Sequence, residues 1–233
     1  MTGGMALPRT LEPEVMDTEE EARDYDAMDH AEVNARFCDD LLAAGPRPGR
    51  VLDVGTGTAL IPIALCGRDA RFEVDAIDLA GEMLALAERN VARAGLVGRV
   101  RVARMDAKAT PWEAGSFDVV MSNSIVHHIP EPGQMLAEAW RLVRPGGLLF
   151  VRDLERPDDD RRVAELVARY APIPDAPTGV RAMHERQRGL FEASLRAALT
   201  ADEVRATVAP LGIPGDAVRS TSDRHWTLTG VKP

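Results

Sequence analysis

The sequence predicts an α/β fold, a parallel sheet covered by helices on both faces, and three observations predict it. Short apolar runs alternate with helix-period stretches from Arg50 to Arg152. The first run ends in Gly55-Thr56-Gly57, two glycines one residue apart ahead of a helix-like stretch. Polar residues then recur just past the runs, at Asp78, Asp106, Asn123 and Asp153. Right-handed crossovers place the carboxyl ends of parallel strands on one edge of a sheet. Open α/β sheets bind their ligands at that edge.

The elements follow in order. Residues 12–29 are acidic and weakly apolar, with Tyr25 and Met28 as exceptions. Residues 30–44 have a helical period that places Val33, Phe37, Leu41 and Leu42 on one face. Gly45-Pro46-Arg47-Pro48-Gly49 breaks the chain. Val51 to Val54 reads as strand one. Ala59 to Cys66 reads as a helix whose Pro62 falls in the first turn, where proline is tolerated. Phe72 to Ile77 is strand two, and Gly81 to Ala94 is an amphipathic helix closed by Gly95. Val100 to Ala103 and Phe117 to Met121 are strands three and four. A helix from Pro132 to Val143 stops at Arg144-Pro145-Gly146-Gly147, and Leu148 to Arg152 is strand five.

Residues 157–199 interrupt this rhythm. Asp158-Asp159-Asp160 can cap a helix running to about Tyr170. Pro172, Pro174 and Pro177 form a stiff linker, and Met183 to Leu199 is helical again. The insertion leaves strand five at the ligand edge, which suits a lid; a purely structural cover is the other reading. A helix from Ala201 to Leu211 follows. An apolar stretch near Val218 and a strand from His225 to Val231 then flank a tight loop, as in an antiparallel pair. The division expected is an N-terminal helical arm, 1–45, and a main domain, 46–233, with its helical lid at 157–199.

The chain of 233 residues carries a net charge of -9. That balance argues against a broad nucleic-acid footprint, which needs a positive patch. Arg161, Arg162, Arg169, Arg181, Arg186 and Arg188 cluster in one region, but solvated helix faces balancing nearby acids account for them. Cys38 and Cys66 suggest neither a disulfide framework nor a metal site, and no metal is expected. No run approaches the roughly 20 apolar residues of a membrane span, so the protein reads as soluble and cytoplasmic.

Five segments in order carry a family resemblance: Val51 to Thr58, Ala76 to Leu84, Met105-Asp106-Ala107, Phe117 to Ser124, and Leu142 to Gly147. They resemble the class I (Rossmann-like) S-adenosylmethionine-dependent methyltransferases. The resemblance implies a seven-stranded, mostly parallel, doubly wound sheet whose last hairpin inserts an antiparallel strand. Its fullest glycine motif has a third glycine where this chain has Ala59. An NAD-type site wants a glycine where Leu60 stands, which weighs against a dinucleotide.

By matching position, the resemblance implies cofactor contacts from Asp53, Gly55, Thr56, Gly57, Asp78, Leu79, Met83, Asp106, Ala107 and Asn123. Asp78 would take the ribose hydroxyls, Asp106 the adenine amino group, and the two glycines and Asn123 the methionine part. For Met83, an adenine contact and ordinary helix core are equally open. The implied activity is methyl transfer from S-adenosylmethionine to a small-molecule acceptor, with S-adenosylhomocysteine as product. An RNA or protein acceptor, or a non-catalytic cofactor-binding protein, are the alternatives. Methyl transfer needs alignment above all. His127, after strand four, could take a proton or orient an acceptor, or else pack on the sheet. Tyr25 could close over the cofactor or simply anchor the arm.

Overall fold

The structure, a computed structural model, describes residues 7–15, 17–26, 31–175 and 177–233. Its strands are β1 (Arg50–Val54), β2 (Glu73–Asp78), β3 (Val100–Arg104), β4 (Phe117–Asn123), β5 (Val143–Leu154), β6 (Val218–Ser220) and β7 (His225–Val231). They form one seven-stranded sheet in the order β3-β2-β1-β4-β5-β7-β6. The first five pair in parallel, and β7 runs antiparallel to both β5 and β6. Chain direction across the sheet reverses between β1 and β4, so a crevice opens above the carboxyl ends of that pair.

The helices are α1 (Glu19–Asp26), α2 (Ala31–Ala43), α3 (Leu60–Arg68), α4 (Gly81–Arg93), α5 (Pro132–Leu142), α6 (Asp160–Tyr170), α7 (Thr178–Ala197) and α8 (Ala201–Val208). Because side chains alternate along a strand, neighbours in β1 feed different cores. Val51 joins Phe37, Leu65 and Ala87 beneath α2, α3 and α4. Leu52 joins Leu136, Ala139, Val204 and the fully buried Trp226 beneath α5 and α8. Each such aliphatic side chain stabilises the fold by about 1.5–3 kcal/mol on burial. Two helices after the sheet's fifth strand have explicit starts. Asp159 caps α6 by accepting from the Arg162 amide at 2.7 Å. Thr200 and Glu203 form a reciprocal capping box on α8.

Several boundaries differ from the sequence expectation. β5 starts at Val143 rather than Leu148, because Arg144-Pro145-Gly146-Gly147 is taken into the strand as an irregularity opposite Phe117 and Val119. α7 starts at Thr178 rather than Met183, directly after Pro177. The helix expected through Leu211 ends at Val208 and tightens into a 3-10 turn. Val33 does not share the buried face of Phe37 and Leu41: it is exposed. Met28 lies outside the described residues.

Candidate active site

The crevice between β1 and β4 is built first from backbone. Gly55 leaves β1 in the left-handed region at φ 72°, and Gly57 follows at φ 52°. The Gly55 and Thr56 amides both donate to the Ile77 carbonyl at 2.9 Å, which fastens the turn to β2. A side chain at Gly55 has no room, since its Cβ would stand 2.3 Å from Ile125 Cδ1. Ala59, at the start of α3, is also left-handed, at φ 61°. Ser124, just past β4, holds a similar φ of 59°. Non-glycine residues in this region are uncommon and strained; Ser124 lines the crevice, and Ala59 lies behind the glycine turn.

At the end of β2, Asp78 accepts from the Gly57 amide at 2.9 Å and from the Ala80 amide at 3.0 Å, one bond to each oxygen. A carboxylate has about four acceptor positions, so capacity remains for a ligand beside the amides of Gly57, Leu79 and Ala80. Burial raises the Asp78 pKa despite these amide bonds. Past β3, Asp106 accepts from the Lys108 amide at 2.8 Å, and the Lys108 ammonium lies 3.2 Å away. Deeper, Asp53 is buried below the glycine turn, where burial pushes its pKa up to about 7.

The crevice has an empty volume of about 800 Å³, counting solvent at its mouth. Its walls are Ile77, Asp78, Leu79, Ala80 and Met83 from β2 and α4, then Met105, Asp106, Ala107 and Lys108 past β3. The remaining wall comes from Asn123, Ser124, Ile125, His128 and Ile129 past β4. Glu14, Val15 and Tyr25 reach it from the N-terminal segment. Tyr25 packs near Ala22, Ala80 and Met83, and burial pushes its phenol up to about 12, so it stays protonated.

That N-terminal segment has few apolar residues and is held by polar contacts. Arg9 donates to the carbonyls of Ala197, His127, Ile129 and Pro130. Glu14 pairs with Lys108. Asp17 accepts from the Glu82 amide at 3.0 Å, at the start of α4. Asp24 pairs with Arg186 of α7 at 2.9 Å, and Gln187 donates to the Asp24 carbonyl. Acids of the weakly apolar stretch 12–29 therefore tie the segment across the crevice and to α7.

Of the two adjacent histidines, the one expected to act on an acceptor, His127, is not the one at the crevice. His127 does not line the crevice; its ring is buried, with Nδ1 2.5 Å from Asp153 and Nε2 3.4 Å from Glu12. Burial alone would lower the His127 pKa, but the Asp153 and Glu12 carboxylates outweigh it and hold it above the ordinary value. His128 is the one on the crevice wall, and burial beside His127 drops its pKa to about 4. Asp53 and Thr56 also sit behind the lining rather than in it. Gly55, Gly57, Asp78, Leu79, Met83, Asp106, Ala107, Asn123 and Tyr25 do line it. Asp153, expected at the ligand edge, is 1% exposed and turned to His127. Arg152 pairs internally with Asp40 at 2.8 Å.

Sequence reasoning missed Glu12, Glu14, Val15, Lys108, Ile125 and the lining role of His128. Of these only Lys108 and Ile125, two residues past assigned strand-end positions, carried a local signal.

Comparison with known proteins agrees with this geometry. A family model described as "Methyltransferase domain" matches residues 52–151. A ubiquinone biosynthesis O-methyltransferase of Caulobacter vibrioides is 32% identical over 207 residues, which are 85% of this chain and 78% of the relative. A malonyl-[acyl-carrier protein] O-methyltransferase of Geobacter sulfurreducens is 33% identical over 196 residues, 82% of this chain and 66% of that one. Among solved structures, a SAM-dependent methyltransferase of Aquifex aeolicus superposes with a TM-score of 0.65 at 19% identity, covering 92% of this chain and 98% of its own. At that identity it speaks for the fold alone.

Proposed function

We propose that this chain, which belongs to the class I S-adenosylmethionine-dependent methyltransferases, transfers the methyl group to an oxygen atom of a small molecule. The observation that carries the acceptor class is the covered crevice. Glu14, Val15 and Tyr25 reach over the strand ends from the N-terminal segment, and the concave, mostly apolar lining with a few polar groups suits a small molecule. Oxygen is favoured because both relatives described above are named as O-methyltransferases. The acidic balance, -9, weighs against a nucleic-acid acceptor. Among the described residues no helix is long and apolar enough to cross a membrane. We place the protein in the cytoplasm, where the free Cys38 and Cys66 stay reduced.

The residues present fit the cofactor. Asp78 keeps acceptor capacity for the ribose hydroxyls, and Asp106 stands past β3 for the adenine amino group. Met83 and Met105 give the apolar wall an adenine needs, with Leu79 and Ala107 beside them. Gly55, Gly57 and Asn123 border the methionine end, where the open face of Gly57 has Tyr25 Cε1 3.7 Å from the place of a Cβ. Asp53 and Thr56 act from behind, by shaping the turn. S-adenosylmethionine supplies a methyl group on a positive sulfur that is already an excellent leaving group. What remains for the protein is alignment and exclusion of water. Ser124, Ile125, His128 and Ile129 form the acceptor end of the pocket. His127 acts as a positioning residue: through Asp153, which also accepts from the Val126 and His127 amides, it fixes the turn that carries His128.

Isothermal titration tests the site. Asp78→Ala weakens S-adenosylmethionine binding by at least about 1 kcal/mol, as charge-assisted bonds to ribose are lost. Unchanged affinity removes Asp78 from the site. Labelled cofactor offered with a panel of phenols and carboxylic acids tests the acceptor class. Methylation of carbon or nitrogen acceptors alone overturns the oxygen assignment.

A further inference from the structure

We propose that Glu12, His127 and His128 bind one divalent transition-metal ion, zinc by the chemistry of its donors, at the acceptor end of the pocket. Two imidazole nitrogens converge on a single carboxylate oxygen. Glu12 Oε1 lies 3.4 Å from His127 Nε2 and 3.1 Å from His128 Nδ1. All three donor atoms lie within 4.8 Å of one another. Zinc bonds of about 2.0–2.1 Å to nitrogen and oxygen at tetrahedral angles give donor separations of roughly 3.4 Å. A two-histidine, one-carboxylate set with a fourth position left open is a recognised zinc arrangement in catalytic sites.

The surroundings hold His127 and Glu12 as a metal site requires, while His128 Nδ1 also lies 3.4 Å from the Pro13 carbonyl, a contact that an ion would replace. His127 Nδ1 is 2.5 Å from Asp153, so that nitrogen is engaged by the carboxylate and Nε2 is the one presented toward Glu12. A carboxylate behind a ligating histidine is the usual outer-shell partner. Asp153 is itself fixed by the amides of Val126, His127 and Leu154. On the other side, the Ser194 hydroxyl donates to Glu12 at 3.1 Å. The Glu12 side chain is 8% exposed and that of His127 4%, so the donors are withdrawn from bulk water. His128 belongs both to this cluster and to the pocket wall, so the open position is reached from the pocket. There an acceptor's hydroxyl or carboxylate oxygen can occupy it, and the ion lowers the pKa of a bound hydroxyl. This role rests on the oxygen-acceptor reading; metal binding itself does not.

Cobalt(II) replaces zinc in such sites and reports its geometry by visible absorption. The full chain, stripped with chelator, is titrated with cobalt(II) and then with zinc. The expected result is one equivalent of cobalt with a tetrahedral spectrum, displaced by zinc. Glu12→Gln and His128→Gln should each weaken cobalt binding by about tenfold or more. Glu12→Gln should leave S-adenosylmethionine affinity, measured in metal-free buffer, at the wild-type value. Failure to bind cobalt, or a spectrum that neither variant alters, overturns the site and reduces the cluster to an ion pair between Glu12 and a protonated His127. Intact cobalt binding with no affinity for S-adenosylmethionine would instead count against the methyltransferase reading alone.

Discussion

Asp53 and Asp153 stand near the ends of β1 and β5, almost equally buried at 2% and 1% exposure, yet they are treated in opposite ways. On the cofactor side, burial and the nearby Asp78 carboxylate push Asp53 up to about 7. On the acceptor side, burial would likewise raise Asp153, but His127 and the backbone amides hold its pKa below the ordinary range. The difference teaches how each half is made. The cofactor half consists of short turns after β1 to β4, shaped by main-chain geometry. The acceptor half consists of charged side chains from the N-terminal segment, the turn past β4 and α7, held by ion pairs or carbonyl bonds to groups far away in sequence.

The sharpest way to break this comparison is to remove the Asp53 charge. Its folded pKa of about 7 lies above the ordinary Asp value of 3.8. Between those values the unfolded chain gives up its proton while the folded chain keeps it. Stability from this group is therefore complete below about pH 4, declines as pH rises toward 7, and is level above that. Asp53→Asn removes the decline, so the variant gains up to about 4 kcal/mol over the wild type at pH 8 and nothing at pH 4. Urea melts at the two pH values check it; a gain equal at both would show that Asp53 does not titrate in that window.

Next in size is Gly55→Ala. The left-handed φ costs an L residue about 1–2 kcal/mol, and the new methyl must displace Ile125, which adds overpacking. The loss of stability should be about 3 kcal/mol, accompanied by weaker cofactor binding. Gly55→Ala with wild-type stability would mean that the turn relaxes and that its backbone is not what shapes the pocket.

These two halves were unequally legible in the sequence. Gly55, Asp78, Asp106 and Asn123 could be placed because each follows a strand by a fixed small interval, and strand ends converge whatever the details of packing. The antiparallel hairpin was likewise within reach of local pattern, from the tight loop ahead of His225. The acceptor half offered no such interval. Glu12 reaches the histidines across more than a hundred residues, and Arg9 reaches both Ile129 and Ala197. An acidic run without apolar period looks the same whether its charges face water or distant partners. For His127 and His128, adjacent residues in a 3-10 turn, only the tertiary structure decides which one is turned inward. The same distance hid the candidate metal donors, which have no short spacing to find.

Arg9 tests the acceptor half in the way Gly55 tests the other. Arg9→Ala removes charge-assisted bonds to four carbonyls at the junction of the N-terminal segment, the His127 turn and the end of α7. The expected cost is about 1–2 kcal/mol of stability, softened because water can reach part of the site. Cofactor affinity stays unchanged, while the KM for the acceptor rises once an acceptor is in hand. A fall in cofactor affinity as large as that of Asp78→Ala would erase the distinction between the halves.

The smallest effect belongs to Ala59→Gly, and its smallness is informative. Ala59 stands where the resembling family has a third glycine, and it keeps a glycine-like φ of 61°. Restoring glycine relieves about 1–2 kcal/mol of left-handed strain. Against that, the unfolded chain gains freedom worth about 0.5–1 kcal/mol. A buried methyl of about 0.8 kcal/mol is also lost, since Ala59 is fully buried against the α2 and α3 core. The terms nearly cancel, so the net change stays under about 1 kcal/mol and cofactor affinity does not move. A stabilisation of several kcal/mol would mean that the turn is strained well beyond this one residue. The cofactor half would then be held by its packing partners, as the acceptor half is, rather than by its own backbone.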